Sequence, residues 1–473
     1  MTLMIFNTLG GRKEEFKPLR EGEVRIYVCG PTVYDYIHIG NARAFVIADV
    51  VCRYLEYKGF KVKLVRNITD IDDKMIKRAR ETGLSVQELG EIYSDAYFED
   101  MEKLEIRKPN VNPRATQHIP EMIEAIQKLI DKGFAYEVDG DVYFDTSKFE
   151  GYGKLSANKA EAIRIGARID VNPKKKNPSD FALWKAQKKG EIGWESPWGK
   201  GRPGWHIECS TMAMKYLGET IDIHMGGKDL IFPHHENEIA QAEAETGKPF
   251  VRYWLHNEWL TVDGRKMSKS LGNFITVRDA LKMCEAMELK LFLISAHYRV
   301  PLDFNKENLE IAKTNLKKLQ NSFERFKALK ESDSHTSSVD ELLSALEDGK
   351  RNFEEAMDDD FNSHLAISAI LEIAKAMNIY VDKHKEIRAS TKRMVTETFT
   401  KLLGVLGIKI PERKAEISEE GIVEGLMGLI LDLREEFRKR KDWKIADDIR
   451  ERLQKLGFVI EDKLEGTGWK LQM

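Results

Sequence analysis

Two short strings in the sequence carry residue types suited to holding a nucleotide. His38-Ile39-Gly40-Asn41 sets an imidazole donor and a glycine where a strand pattern gives way to a helix pattern. A glycine there lets a phosphate approach the backbone, and the N-terminus of the next helix favours negative charge. Lys266-Met267-Ser268-Lys269-Ser270, followed by Leu271-Gly272-Asn273, puts two lysines and two serines on a loop after the hairpin-like WLTVDGR. Such a loop can clamp a triphosphate and follow its charge as it moves. Alone, His-x-Gly is far more often an ordinary turn, and a lysine-rich string is usually a solvated one.

A third set suits a metal. His234 and Glu238 stand four apart in a helical pattern and so share a face. Cys29 ends a strand pattern, and Cys209 lies on a helix pattern 180 residues later. Spacing does not join these cysteines, because they form no Cys-x-x-Cys signature; by spacing each reads as a small buried hydrophobe. Two thiolates with one imidazole and one carboxylate would suit tetrahedral zinc. Five of the 11 histidines (His206, His224, His234, His235, His256) fall within 206–256, and six of the eight tryptophans lie between Trp184 and Trp259. That concentration fits a ligand site, and equally a tryptophan-rich core with satisfied histidines.

The elements that must position these residues follow from periodicity. VRIYVCG at 24–30 reads as a buried strand, Gly40 to Gly59 as a helix, and KVKLVRNIT at 61–69 as a second strand, giving a β-α-β unit. Helices are expected at 85–104 and 117–131, and a hairpin at 134–144 around Asp-Gly. The β-α pattern resumes after an insertion of about 120 residues, with a helix at 206–217, a strand at 221–227 and a helix stopped by Gly247. A charged helix at 306–331, a polar linker at 332–338 and helices over 340–405 follow. After a break at GIKIPERKAE come a helical pair at 418–456 and a strand at 458–462. No internal repeat is visible.

Composition bounds the function. The 473 residues carry 75 Lys+Arg against 78 Asp+Glu, a net charge of −3, which excludes a wholly basic nucleic-acid binder but not a basic patch. No signal peptide and no uncharged apolar stretch of about 18 residues is present, so no membrane span is expected. Four scattered cysteines make no disulfide framework. The expectation is a soluble, cytoplasmic protein.

With these residues in view, the sequence resembles the cysteinyl-tRNA synthetases, a family of class I aminoacyl-tRNA synthetases. The resemblance runs through YVCGPTVYDYIHIGNAR, NITDIDDK, GWHIECSTM, DIHMGGKDLIFPHHENEIAQAEA, KMSKSLGNF and KDWKIADDIRERLQKLGFVIED, essentially the whole chain. It implies an α/β, doubly wound, Rossmann-like catalytic domain with an inserted connecting subdomain. An α-helical domain and a small C-terminal anticodon-binding module would follow. The implied boundaries are 1–115 and 205–250 for the catalytic halves and 116–204 for the insertion. Residues 251–335 would be the KMSKS and stem-contact region, 336–410 the helical tRNA-binding domain and 411–473 the anticodon module.

The resemblance further implies ATP-dependent activation of L-cysteine and transfer to the 3′ end of tRNA(Cys). One Zn2+ per chain would sit on Cys29, Cys209, His234 and Glu238, and Mg2+ would accompany ATP. Gly30, Thr69, Trp205 and Asp229 match the amino-acid pocket. His38, Gly40, Asn41, Lys266, Met267, Ser268, Lys269 and Ser270 match the ATP site. Arg438, Trp443 and Asp447 match the anticodon contacts, and the expected state is a monomer. One departure stands out: the family motif usually ends in histidine where this chain has Asn41, which still offers an NH2 donor. A ligase joining activated cysteine to a small amine would share these sites but have no use for 418–473. A non-catalytic tRNA-binding descendant would have no use for intact His38, Lys266 and Lys269.

Overall fold

In the computed structural model the apolar run Glu23–Val28 forms strand β1, Ile39–Tyr57 helix α1 and Lys61–Arg66 strand β2. Residues 2–156, 173–268, 271–332, 338–410, 419–463 and 466–471 are described. After an insertion come α2 (Trp205–Leu217), β3 (Ile221–Gly227), α3 (Glu236–Thr246) and β4 (Val251–Asn257). The four strands make one sheet in the order β4-β3-β1-β2, and every pair is parallel. Val24, Ile26, Tyr27, Val28, Ile221, Ile223, Trp254 and Leu255 are all buried, as strands covered on both faces require. The chain moves outward from β1 to β2 and, in the opposite direction, from β3 to β4. The switch point therefore lies between β1 and β3, where ligands of doubly wound folds bind.

Between β2 and α2 lie helices Asp73–Thr82, Val86–Lys103 and Ile119–Asp131 and a four-stranded antiparallel sheet of Ala135–Val138, Asp141–Phe144, Phe181–Ala186 and Gly201–Pro203. Its first hairpin turns at Asp139 and Gly140, with φ of 50° and 81°, the left-handed pair that the Asp-Gly signal anticipates. The helix Asp73–Thr82 escapes the sequence reading. It buries only Met75, Ile76 and Ala79, so its charged sequence shows too thin an apolar stripe. Met122, Ala125, Ile126 and Leu129 of the Ile119–Asp131 helix share one core with Ile207, Cys209 and Ala240.

Beyond β4 a hairpin of β5 (Leu260–Val262) and β6 (Arg265–Lys266) pairs through β5 with β7 (Leu302–Phe304). The charged helix α4 spans Lys306–Lys327, shorter than the expected 306–331, because Lys330 and Glu331 pair with Glu386 and Ile387. The segment 333–337 of the expected linker lies outside the described residues. Helices α5 (Asp340–Asp358), α6 (Ser363–Lys383) and α7 (Ala389–Val405) follow. At Gly349 a Cβ would fall 2.3 Å from Ile373 Cγ1, so only glycine permits this approach of α5 and α6. α6 is long and apolar enough to cross a membrane, yet Ala366, Ile370, Ile373, Ala374 and Met377 are buried within the protein.

The chain divides into units Met1–Ile410 and Pro411–Met473. The second holds α8 (Glu419–Lys439), α9 (Trp443–Lys455) and an antiparallel pair, β8 (Phe458–Lys463) and β9 (Gly466–Leu471), around Met427, Leu431, Leu453 and Ile460. The sequence reading finds β8 but not β9, whose GTGWKL carries two glycines that weaken a strand pattern.

Candidate active site

Cys29 sits one residue beyond β1, and its N–H donates to Met225 O of β3 at 3.2 Å, so it lies at the switch point. Cys209 comes from the second turn of α2, and His234 and Glu238 from the entry and first turn of α3. Ligand atoms of these four residues lie within 4.8 Å of one another. Cys29 Sγ is 3.9 Å from Cys209 Sγ and 3.6 Å from Glu238 Oε1, and His234 Nε2 is 3.0 Å from that same oxygen. Spacing leaves these cysteines unconnected; the packing of α2 against the end of β1 joins them.

The five clustered histidines meet here. His206 Nδ1 is 2.8 Å from His234 Nδ1, and His224 Nε2 is 3.0 Å from Glu238 Oε2. His235 bridges Cys29 Sγ, at 3.3 Å, to His256 Nε2, at 2.7 Å, and Thr8 Oγ1 lies 2.8 Å from His256 Nδ1. Outer partners of this kind orient metal ligands. A second donor set, Cys29, His224, His235 and Glu238, overlaps the first. His224 and His235 are wholly buried, whereas Trp205, 37% exposed, stacks on His234 at 4.2 Å.

The electrostatics suit a cation. Burial opposes ionisation of Glu238, yet His224 and His234 hold its carboxyl down to about 2. The Cys29 thiol, donating to Cys209, lowers Cys209 to about 6, while burial pushes Cys29 itself well up. Against its own burial, Glu238 and Cys209 raise His234 to about 10, so the ring carries a proton that a metal would displace. Burial drives His206 and His235 well below the usual histidine range and His256 down to about 3. Tyr27 and Glu208 are buried beside the cluster, and burial pushes both groups well up. Neither residue stands out in the sequence, since each sits inside an apolar or helical run.

The residues expected to line the amino-acid pocket lie on several elements. Gly30 N–H donates to Asn67 Oδ1 at 2.8 Å, and a Cβ on Gly30 would fall 1.6 Å from Asn67 O. Thr69 is buried, and its Oγ1 accepts from Asn67 Nδ2 at 3.1 Å. Asp229 is exposed in the short Lys228–Leu230 turn that follows β3.

The first nucleotide string caps α1. His38 Nδ1 accepts from Asn41 N–H at 3.1 Å, and Asn41 Oδ1 accepts from His38 N–H at 3.4 Å, a reciprocal cap of the first turn. Accepting at Nδ1 fixes the neutral tautomer with its proton on Nε2. At Gly40 a Cβ would meet His38 Nδ1 at 2.9 Å and Met267 Cε at 3.4 Å, so glycine lets the two strings touch. On the second string Lys266 Nζ lies 5.2 Å from the Trp259 ring, and Ser268 N–H donates to Asn273 Oδ1 at 2.9 Å. Lys269 and Ser270 lie outside the described residues.

Residues 15–314 match the catalytic domain of the class I (C) tRNA synthetases, 352–410 the DALR domain and 430–469 the cysteinyl-tRNA ligase anticodon binding domain. A cysteine–tRNA ligase of Clostridioides difficile (strain 630) is 50% identical over 472 residues, which is 99% of this chain and 100% of that protein. The chain belongs to the cysteinyl-tRNA synthetase family. A cysteine–tRNA ligase of Thermococcus gammatolerans (strain DSM 15229 / JCM 11827 / EJ3) is also 50% identical, over 99% of each chain. The fold resembles Mycobacterium tuberculosis methionyl-tRNA synthetase in complex with methionyl-adenylate, with a TM-score of 0.60 and 17% identity, covering 82% of this chain and 90% of that one.

In the second unit, Trp443, 56% exposed, and Asp447 stand four apart on α9. Arg438 lies in the last turn of α8. Lys439 pairs with Glu435 and Arg440 with Glu436, so two of the four cations in 438–441 already have acidic partners one turn back.

Proposed function

We propose that the protein is a cysteine–tRNA ligase acting in two steps. A carboxylate oxygen of L-cysteine attacks the α-phosphate of ATP, taken as its Mg2+ complex, forming cysteinyl-adenylate as pyrophosphate leaves. The terminal ribose hydroxyl of tRNA(Cys) then attacks the acyl carbon, and AMP leaves. Neither step needs a protein nucleophile, so the chain contributes positioning and charge stabilisation. The observation that carries this reading is the convergence of Cys29, Cys209, His234 and Glu238 at the switch point, beside a helix cap suited to phosphate.

His38, through Nε2–H, and Asn41, through its NH2, donate to ATP phosphates at the cap of α1, and Gly40 leaves room for their approach. Lys266 and Lys269 follow the charge that develops on pyrophosphate, with Met267, Ser268 and Ser270 shaping the same loop. Two thiolates, an imidazole and a carboxylate suit zinc, one ion per chain. When bound, zinc supplies a Lewis acid that prefers a thiolate to a neutral hydroxyl. Gly30, Thr69, Trp205 and Asp229 enclose the amino acid. In the second unit Trp443 offers a stacking face for an unpaired base, with Arg438 and Asp447 hydrogen-bonding beside it. The protein acts as a cytoplasmic monomer.

A ligase that joins cysteine to a small amine would not need residues 430–469, and their match to an anticodon-binding domain favours tRNA. Cysteine-dependent ATP–pyrophosphate exchange, followed by charging of total tRNA with each amino acid in turn, tests the reading. Exchange without acylation of tRNA would transfer it to the small-amine ligase.

A further inference from the structure

The loop that bears the lysines is anchored at both feet to α1, but by different means. Its exit foot is held by backbone: Ile39 N–H donates to Ile275 O at 3.1 Å, and Val277 N–H to Ile37 O at 3.0 Å. Its entry foot is tied to α1 through the Arg43 side chain. Arg43, wholly buried on α1, donates through Nη1 to Glu258 O at 3.0 Å and Trp259 O at 3.1 Å, just before β5. Through Nη2 it donates to His297 O at 3.3 Å and Val300 O at 2.8 Å. The two clamped segments are tied to each other as well, Glu258 N–H donating to Tyr298 O at 2.8 Å and Leu302 N–H to Trp259 O at 3.2 Å.

The second segment has its own anchor. Asp360, fully buried in the turn between α5 and α6, accepts from Tyr298 Oη at 2.7 Å, Arg299 Nε at 2.6 Å and Phe6 N–H at 2.8 Å. Its backbone is left-handed at φ 65°, as is that of Phe361 at φ 53°, a conformation non-glycine residues hold only where the surroundings enforce it.

We propose that Arg43 is a positioning residue that sets the hairpin carrying Lys266 against the His38–Asn41 turn, with Asp360 as the far anchor of the same clamp. The planar fork of arginine is what the job requires. Four carbonyls on two segments are reached by two terminal nitrogens whose separation is rigid, and a lysine ammonium at one point does not reproduce that. The helix that presents His38 to a triphosphate thus also gauges the loop that presents Lys266 to it. The proposal rests on the adenylation activity assigned above.

The test compares metal-loaded wild type with Arg43→Lys, Asp360→Asn and the double variant in ATP–pyrophosphate exchange, with rates expressed per active site counted by an adenylate burst. Arg43→Lys is expected to lower kcat per active site at least about tenfold, leaving KM for cysteine within about twofold, because the amino-acid pocket is not on the clamp. Asp360→Asn should act in the same direction by about threefold, and the double variant should fall short of the product of the two. An unchanged kcat per active site, a parallel rise in KM for cysteine, or multiplicative effects in the double variant would each overturn the proposal. If Arg43→Lys does not fold, kcat per active site in Asp360→Asn decides by the same criteria. Wild type lacking cysteine-dependent exchange would instead overturn the activity itself.

Discussion

Asn41 has two halves with separable duties, and replacing it by Asp, Ala and His isolates them. Its Oδ1 accepts from His38 N–H at 3.4 Å and so belongs to the helix cap. Its NH2 makes no hydrogen bond among the described residues and is the half available to a phosphate. Asn41→Asp keeps the acceptor and adds negative charge to a first helical turn that has no acidic residue, which the helix dipole favours by about 0.3–1 kcal/mol. Thermal unfolding of this variant should be unchanged or raised. Its catalysis should fail, because a hydrogen bond to a charged partner, worth about 1.5–3 kcal/mol, is replaced by repulsion. That energy corresponds to at least about 10-fold, and up to about 150-fold, in kcat/KM for ATP. Asn41→Ala loses the donor and the cap together, and should show about 10-fold lower activity with a stability loss of about 0.5–1 kcal/mol. Asn41→His, whose neutral ring can still donate, should keep most of the activity. The assay is ATP–pyrophosphate exchange at saturating cysteine, paired with thermal unfolding. If Asn41→Asp matches wild type in exchange, Asn41 is a helix cap and nothing more.

Three further outcomes are expected. Zinc should copurify at about one per chain by elemental analysis and be lost in Cys209→Ser but retained in His235→Gln; the opposite pattern would move the metal to the second donor set. Serine should be rejected at activation by at least about 10⁴-fold in kcat/KM, where an apolar pocket facing such an isostere gives about 100-fold; a ratio near 100 with rapid hydrolysis of seryl-tRNA would place selection in editing. Buried Lys290, 3.4 Å from Asp49, is lowered to about 8 by burial. Below pH 8 the folded state must keep a buried cation that the unfolded chain holds in water. Between about 8 and the ordinary lysine value the unfolded state binds more protons, so stability relative to Lys290→Met should rise by about 1.4 kcal/mol per pH unit. Chemical denaturation from pH 7 to 10 measures that difference, and a flat profile would refute it.

Much of the molecule is legible from local pattern alone. The buried strands at 24–30, 61–69 and 221–227 declare themselves as short apolar runs, and helix α1 as a 3.6-residue apolar period, because both patterns are written in contiguous residues. The Asp-Gly turn and the two nucleotide strings are local for the same reason: their chemistry is written in contiguous residues. The helix Asp73–Thr82 and strand β9 are not legible, since one shows too little apolar surface and the other carries glycines that only its pairing with β8 explains. The cysteines mark the deeper limit. Nothing in their spacing joins Cys29 to Cys209, and without a family likeness each reads as a small core residue. The packing of α2 against the end of β1 decides that they meet, because folding brings a helix from a distant part of the chain to the switch point where β1 ends. The same holds for the histidines: sequence shows that they are close in number, while the helix faces and strand ends show which nitrogen meets which oxygen. Arg43 looks in sequence like an ordinary charge on a helix. Only the packed segments at 258–259 and 297–300 turn it into a clamp, since the four carbonyls it reaches are brought to one guanidinium by folding alone.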